Sequence, residues 1–461
     1  MSIRLKRAAA VTLLGAMAGC AGVPLESGRS NVIDLVQKRS GSVVSAATTN
    51  RYQVEEDLRR EPLQLATAVQ IALLRNPTMQ VEFARIGLSA ADVFEASRLS
   101  NPGLSFAVLL PSGSASGNKV SAGATLGFSD LLLRQARTRI ARSEYQRTQE
   151  LVAARILALA VDVQTAWFES VAATQRAAAR RTIEESAQAT AELAKRYLEA
   201  GNIDQLTLQL QAAAASEAQI AAQQAAGEVM AARARLQALL GLNAAEANWT
   251  SPDALPAPVA DDGDVPSLQK LAQANRLDLA AARSEAQAAE QQLQATRHYR
   301  YLGPTDVGTA GEREPDGSTR IGPSVTLSIP LFNQGQGAMA RAQAALAAAQ
   351  AARESLETRI GNEVQLQVDR MRLAGAMAAS YRDGLIPQRE AVVARLQEHV
   401  NFMLTDVFNL LQAKQQEYSA YLGYIDAVER YWSARMELVR AVGTRLPGVE
   451  SPTVTSSKVQ P

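Results

Sequence analysis

The sequence contains one cysteine and two histidines in 461 residues, few aromatic side chains and almost no net charge. With only Cys20, His298 and His399 available, a Cys/His zinc site has too few ligands. A Ser-His-Asp triad would need one of the two histidines, and neither lies in a nucleophile or metal motif. The nine methionines form no soft-ligand cluster. The formal charge of +1 leaves neither a basic footprint for nucleic acid nor an acidic tail. No run of about 18 uninterrupted apolar residues follows the N-terminal region, so no transmembrane helix is expected. The chain therefore reads as a non-enzyme without metal or cofactor. What it does have is a 47% apolar content with only 5% aromatics, concentrated in long runs of Ala, Gln, Glu and Arg. Such runs favour long, closely packed helices over a thick globular core.

At the N-terminus, Arg4, Lys6 and Arg7 precede an apolar run from Ala8 to Met17, and Ala18-Gly19-Cys20 follow. A charged start, a hydrophobic stretch too short to span a bilayer and a small-residue cleavage site make residues 1–19 a secretory signal. Cys20 directly after Ala-Gly resembles a bacterial lipobox, although Met17 stands where Leu is usual. The resemblance implies a lipid on Cys20, and Ala21 in place of Asp favours sorting to the outer membrane. The other reading is an ordinary signal cut nearby, which leaves a free thiol in an oxidising compartment.

Internal similarity recurs at an offset of about 200 residues. Thr125-Leu126-Gly127-Phe128 and Thr326-Leu327-Ser328-Ile329 each lead into a long Ala/Arg/Gln helix. Leu73 to Pro77 reads against Ala274 to Asp278, and the breaker Gly201-Asn202-Ile203-Asp204 against Phe402-Met403-Leu404-Thr405. Each half has the order short helix, helix, two strands, very long helix, breaker, helix. This divides the chain into an extended segment 20–62, a first repeat 63–241, a linker 242–265, a second repeat 266–443 and a tail 444–461.

The strands are short and alternate. Val120, Ala122, Ala124, Leu126 and Phe128 interleave with Ser121, Gly123, Thr125 and Gly127, and Val325, Leu327 and Ile329 with Ser324, Thr326 and Ser328. Leu104, Phe106 and Val108 make an earlier strand. Its counterpart in the second half, expected near Tyr299 to Val307, is interrupted by Gly303 and Pro304, with a loop from Gly311 to Arg320. Apolar residues on one face and small polar ones on the other fit a membrane barrel with a wet lumen. Four strands do not close such a barrel, whose smallest form has about eight, and lipid tolerates no open edge. Copies of the chain must then complete it: two would leave a lumen filled by side chains, three would give about twelve strands and an open lumen.

Helix lengths give a second constraint. The stretch from Asp130 to about Glu199 contains no proline and would extend for roughly 100 Å. The returning helix, Asp204 to about Leu242, matches it only when Pro77 to Ser100 is stacked on its end. In the second half, Asn333 to Val400 faces Thr405 to Gly443 plus Arg276 to His298. Counting rise from the two breakers puts Trp167 and Trp432 at a similar level.

These residues together resemble the TolC-type outer-membrane efflux proteins over nearly the whole mature chain. The matching motifs are Leu63 to Ala68 through Asn76-Pro77, Leu236 to Gly241, Ala200 to Ile203, Arg276 to Leu279, and Leu327-Ser-Ile-Pro-Leu-Phe332. The resemblance implies a mainly helical fold with four strands per subunit. A homotrimer would share a 12-stranded outer-membrane barrel above a periplasmic helical barrel. It also implies a periplasmic adapter, an inner-membrane pump of RND, ABC or MFS type and contact with outer-membrane lipid, in a tripartite efflux system. Type I protein secretion is an alternative, and a structural or adapter coiled-coil lipoprotein is a reading from another class. At the tips, Gly201, Asn202, Ile203 and Asp204, and Phe402, Met403, Leu404, Thr405 and Asp406, are candidates for gating and adapter docking. Phe402 stands near the family's usual glycine. Asp204 and Asp406 either cap helices or form acidic rings with Arg196 or Arg395 as partners.

Overall fold

A computed structural model describes residues 28–40, 62–110, 117–246, 249–259 and 263–446. Cys20, the signal, most of the segment before residue 62 and the end of the tail lie outside the described residues.

Helix α1 (Arg29–Ser40) comes first, and two repeats follow. The first has α2 (Leu65–Arg75), α3 (Pro77–Ala96), β1 (Gly103–Leu109), β2 (Lys119–Gly127), α4 (Phe128–Glu199) and α5 (Gln205–Leu240). The second has α6 (Val265–Asn275), α7 (Leu277–Tyr299), β3 (Thr305–Arg313), β4 (Thr319–Leu327), α8 (Gln336–Ala379), a π-helical turn (Ser380–Leu385), α9 (Ile386–Asn401) and α10 (Val407–Val442). Asp264 starts α6 by accepting a bond from Ser267 N, with Pro266 in the first turn, and Gly241 and Gly443 end α5 and α10 in the left-handed conformation.

Two expectations need correction. Residues 311–313 and 319–320 are strand, not loop, and 299–304 are not strand. Thr305 to Arg313 has too few apolar residues to read as a strand, yet it pairs along its length with both β2 and β4. Gly308 makes this close pairing possible, because a Cβ there would overlap Ala124 O. The second long helix is also not continuous. Pro387 has no N–H to donate, and the π turn absorbs the mismatch, with Ile386 N bonding Tyr381 O. Helix α4 contains an 18-residue window with the mean hydropathy of a membrane span. Since 56% of that window is buried within the fold, it is helix core.

The chain forms two compact units that each draw on both repeats. One comprises residues 83–149 and 281–352 with the start of α1; the other comprises 32–82, 150–280 and 353–446 of the described chain. The first holds an antiparallel sheet of order β1-β2-β3-β4. Its register puts Phe106, Ala122, Gly311 and Ile321 on one face, and Ser121, Glu312 and Arg320 on the other.

The second unit is helical and centres on an aromatic layer. Phe168 stacks on Trp432 with ring centres 4.7 Å apart, and Trp167 meets Phe168 edge-on at 5.1 Å. The two tryptophans thus lie at one level, as the register count requires. Both are buried and tie down connecting chain: Trp167 Nε1 donates to Leu63 O at 2.7 Å and Trp432 Nε1 to Pro256 O at 2.8 Å. Tyr431 secures the same linker through both the N–H and the carbonyl of Val259.

The duplication is visible in the joints. Asn76, between α2 and α3, donates to Leu239 O near the end of α5; Arg276, between α6 and α7, donates to Ala441 O near the end of α10. Asn76 therefore corresponds to Arg276, one position away from the alignment read in the sequence. Arg276 also bonds Asp278 and Glu363. Burial alone would raise the Asp278 carboxyl, but its bonds to Arg276 outweigh this and hold it below the usual carboxylate range.

Candidate functional site at the helix tips and the sheet

The first tip follows from a helix stop and a helix start. Gly201 takes a left-handed φ of 74°, Gly201 N donates to Leu198 O and Asn202 N to Tyr197 O. This closes the carbonyls at the end of α4. Asp204 then caps α5, its carboxylate accepting Thr207 N at 2.8 Å and Thr207 Oγ1 at 2.6 Å. The same bonds hold its carboxyl below the ordinary range.

The second tip repeats this backbone with different side chains. Met403 N donates to Val400 O and Leu404 N to His399 O, and Met403 takes a φ of 58°. Met403, and not Phe402, therefore holds the place of Gly201. The sequence alignment of the two breakers is corrected by one residue, so that Asp406 falls opposite Asp204. Asp406 accepts Phe408 N at 3.3 Å as the cap of α10. Met403 is the one non-glycine residue with positive φ among the described residues. That conformation costs an L-residue about 1–2 kcal/mol.

The tips differ in surface. Phe402 and Met403 are 75% and 94% exposed, and Leu404 is exposed beside them. At the first tip Ile203 is half-buried and its neighbours Gly201, Asn202 and Asp204 are small or polar. Phe408 packs edge-on against Tyr197 at 6.0 Å, bringing the start of α10 to the end of α4. Within the chain Arg196 pairs with Glu192 and Arg395 with Glu398. The two arginines named as partners for the tip aspartates thus have local partners, while both aspartates act as caps.

Further along these helices, sequence spacing missed a charged cluster. Arg176 on α4 pairs with Glu429 and Asp426 on α10 and with Glu228 on α5. Burial alone would lower the guanidinium, and these carboxylates override it and raise its pKa. Tyr421 on α10 donates to Glu390 on α9. Burial, then the Glu390 charge, push that phenol up, so it remains a donor. These residues sit in helical runs of ordinary charge spacing, and only the packing brings them together.

The sheet is the other candidate. Leu104, Phe106, Leu126, Ile321, Val325 and Leu327 lie on one face and all are exposed. The opposite face carries Ser105, Ser121, Gly123, Thr125, Gly308, Gly322, Ser324 and Thr326. β1 and β4 each pair on one side only, so the sheet has two free edges. Among the described residues no group of three or more His, Cys, Asp or Glu is arranged to hold a metal ion.

Residues 68–242 match the family described as "Outer membrane efflux protein". Solved structures share the fold over most of the chain. The Campylobacter jejuni CmeC outer membrane channel aligns with a TM-score of 0.72 and 13% identity, covering 86% of this chain and 88% of its own. A membrane protein from Pseudomonas aeruginosa gives 0.69 and 20%, covering 82% and 93%. The outer membrane protein VceC of Vibrio cholerae gives 0.68 and 17%, covering 85% and 98%. No curated protein sequence matches the chain.

Proposed function

Because residues 68–242 match the outer membrane efflux protein family and the fold is shared with solved channels over most of the chain, we propose that three copies form one trans-periplasmic exit duct. The observation that carries this reading is the sheet. It has an exposed apolar face, a small polar face and two unpaired edges, a combination that neither water nor lipid tolerates in a single chain. Three sheets joined edge to edge remove every edge and give a twelve-stranded barrel, apolar outside and polar within. The duct is passive and not an enzyme. Substrates reach it from an inner-membrane pump through a periplasmic adapter, and it holds no cofactor. Cys20 carries a lipid that adds to the outer-membrane anchorage. Efflux is favoured over protein secretion only by the family description, and the cargo is set by the pump.

The tips carry gating and docking in this reading. Phe402, Met403 and Leu404 offer an apolar surface for the adapter, whereas Gly201 to Asp204 offer backbone and a capped helix start. Conductance and efflux are the tests. Phe402→Ala weakens adapter capture and efflux without changing single-channel conductance, and Asp406→Ala alters conductance by loosening the start of α10. Both variants behaving as the unaltered protein at normal expression would refute the role of the tips. A heat-labile trimer on a gel and radiolabelled lipid on Cys20 test the assembly and the anchor.

A further inference from the structure

The helix end of the sheet carries a charge that the composition conceals. The whole chain has a formal charge of +1. Yet the stretches next to the strands, residues 94–102, 128–142, 296–304 and 328–342, hold eight arginines against Glu95 and Asp130. Asp130 is already engaged by Arg137. At the hairpin end the charges balance, and Lys119 pairs with both Glu312 and Glu314. The cationic excess belongs to one end of the sheet.

This excess adjoins exposed apolar side chains in a fixed order. Phe128 continues the apolar alternation of β2, and the first turns of α4 add Leu131 and Leu132, all exposed. At helical spacing the same stripe then passes through Gln135 to Arg139 and Arg142, also exposed. One helix face thus changes from apolar to cationic within about 20 Å of rise. The second repeat has the same sequence of surfaces. Beyond β4, Leu331 and Phe332 are exposed, Phe332 at 97%, and the exposed Arg341 follows on α8. A soluble surface gains nothing from a bare Phe beside Leu. A bilayer boundary does, because apolar side chains reach the acyl region while arginines extend to the headgroups.

We propose that this collar binds the headgroups of anionic phospholipids in the adjoining leaflet and so fixes how deep the barrel sits. The proposal rests on the outer-membrane reading above. Phosphate matches guanidinium in charge and in its paired acceptors. The Arg139–Arg142 stripe, with no ion pair among the described residues, is the principal contact.

The test uses the full-length assembled trimer and vesicles of phosphatidylcholine, with or without admixed phosphatidylglycerol. The unaltered protein is expected to insert preferentially into the anionic vesicles, and high salt to erase the preference. Each arginine is expected to contribute roughly fivefold to the preference at low salt, so one substitution, which removes three arginines from the trimer, should lower it about a hundredfold, and the triple variant Arg139→Gln, Arg142→Gln, Arg341→Gln should abolish it. Lys119→Gln, at the other end of the sheet, should leave it unchanged. Equal insertion into both vesicle types, or a Lys119→Gln effect as large as the triple variant's, overturns the collar and leaves the outer-membrane reading standing. Failure to insert into any vesicle overturns that reading and the collar with it. Because the salt dependence is read on the unaltered trimer, a variant that fails to assemble does not decide the outcome.

Discussion

Met403 and Gly201 hold the same left-handed place at two hairpin tips, and only one of them is a glycine. Met403→Gly relieves about 1–2 kcal/mol of backbone strain. It also adds about 0.5–1 kcal/mol of freedom to the unfolded chain. The thermal midpoint should therefore rise slightly while the tip loses its most exposed apolar side chain and keeps Phe402 and Leu404. Met403→Val puts a β-branched side chain where such residues are true outliers. It should speed amide hydrogen exchange around residues 402–406 without altering the rest of the helices. Asp278 supplies a pH dependence. Its folded-state carboxyl lies below the ordinary value because of Arg276. Its stabilising contribution is thus complete at neutral pH and is lost as the pH falls through the folded value, below about 4. Asp278→Asn should remove this part of the acid-induced loss in thermal unfolding scans while lowering stability at neutral pH. Asp204 as a cap was readable from its place before a helix. Met403 was not, because its neighbours conceal which residue turns.

Helices and strands were largely legible from periodicity. The 3–4 spacing along α10 marks the face that buries Tyr421, Ile425, Val428, Trp432 and Met436. Trp432→Ala removes the ring that Phe168 stacks on and should destabilise the helical unit by about 3–5 kcal/mol, measured by denaturant unfolding. The π turn between α8 and α9 was not legible, because Pro387 in a helical run is compatible with a kink, a stop or a widened turn. Tyr381, within that turn, packs on Gly423 of α10, where a Cβ would lie 2.6 Å from the ring. Gly423→Ala should lower thermal stability by about 1–3 kcal/mol, and Tyr381→Ala in the same chain should recover much of it. A simple additive loss in the double variant would show that the two do not share this space.

For the whole molecule, the decisive features are the free edges of the sheet. β1 and β4 lie at opposite ends of a four-stranded order. If three sheets close one barrel, cysteines introduced on β1 and β4 will crosslink between chains and not within one, giving a covalent trimer on a denaturing gel. A crosslink confined to monomers would contradict closure by neighbouring copies. The compact units also cut across the duplication, since each takes segments from both repeats. The repeat is a unit of sequence, and packing redistributes it.

Local pattern was enough for the order of elements, the two-sided strands and the lengths of most helices. Periodicity, turn chemistry and rise per residue hold without knowledge of packing. Which residue stands at each joint, and which charges meet, came from the folded chain alone. Folding brought Arg176 to its three carboxylates, stacked Phe168 on Trp432 and put the second turn at Met403. Those outcomes depend on contacts between segments far apart in the chain, whose energies no local pattern records.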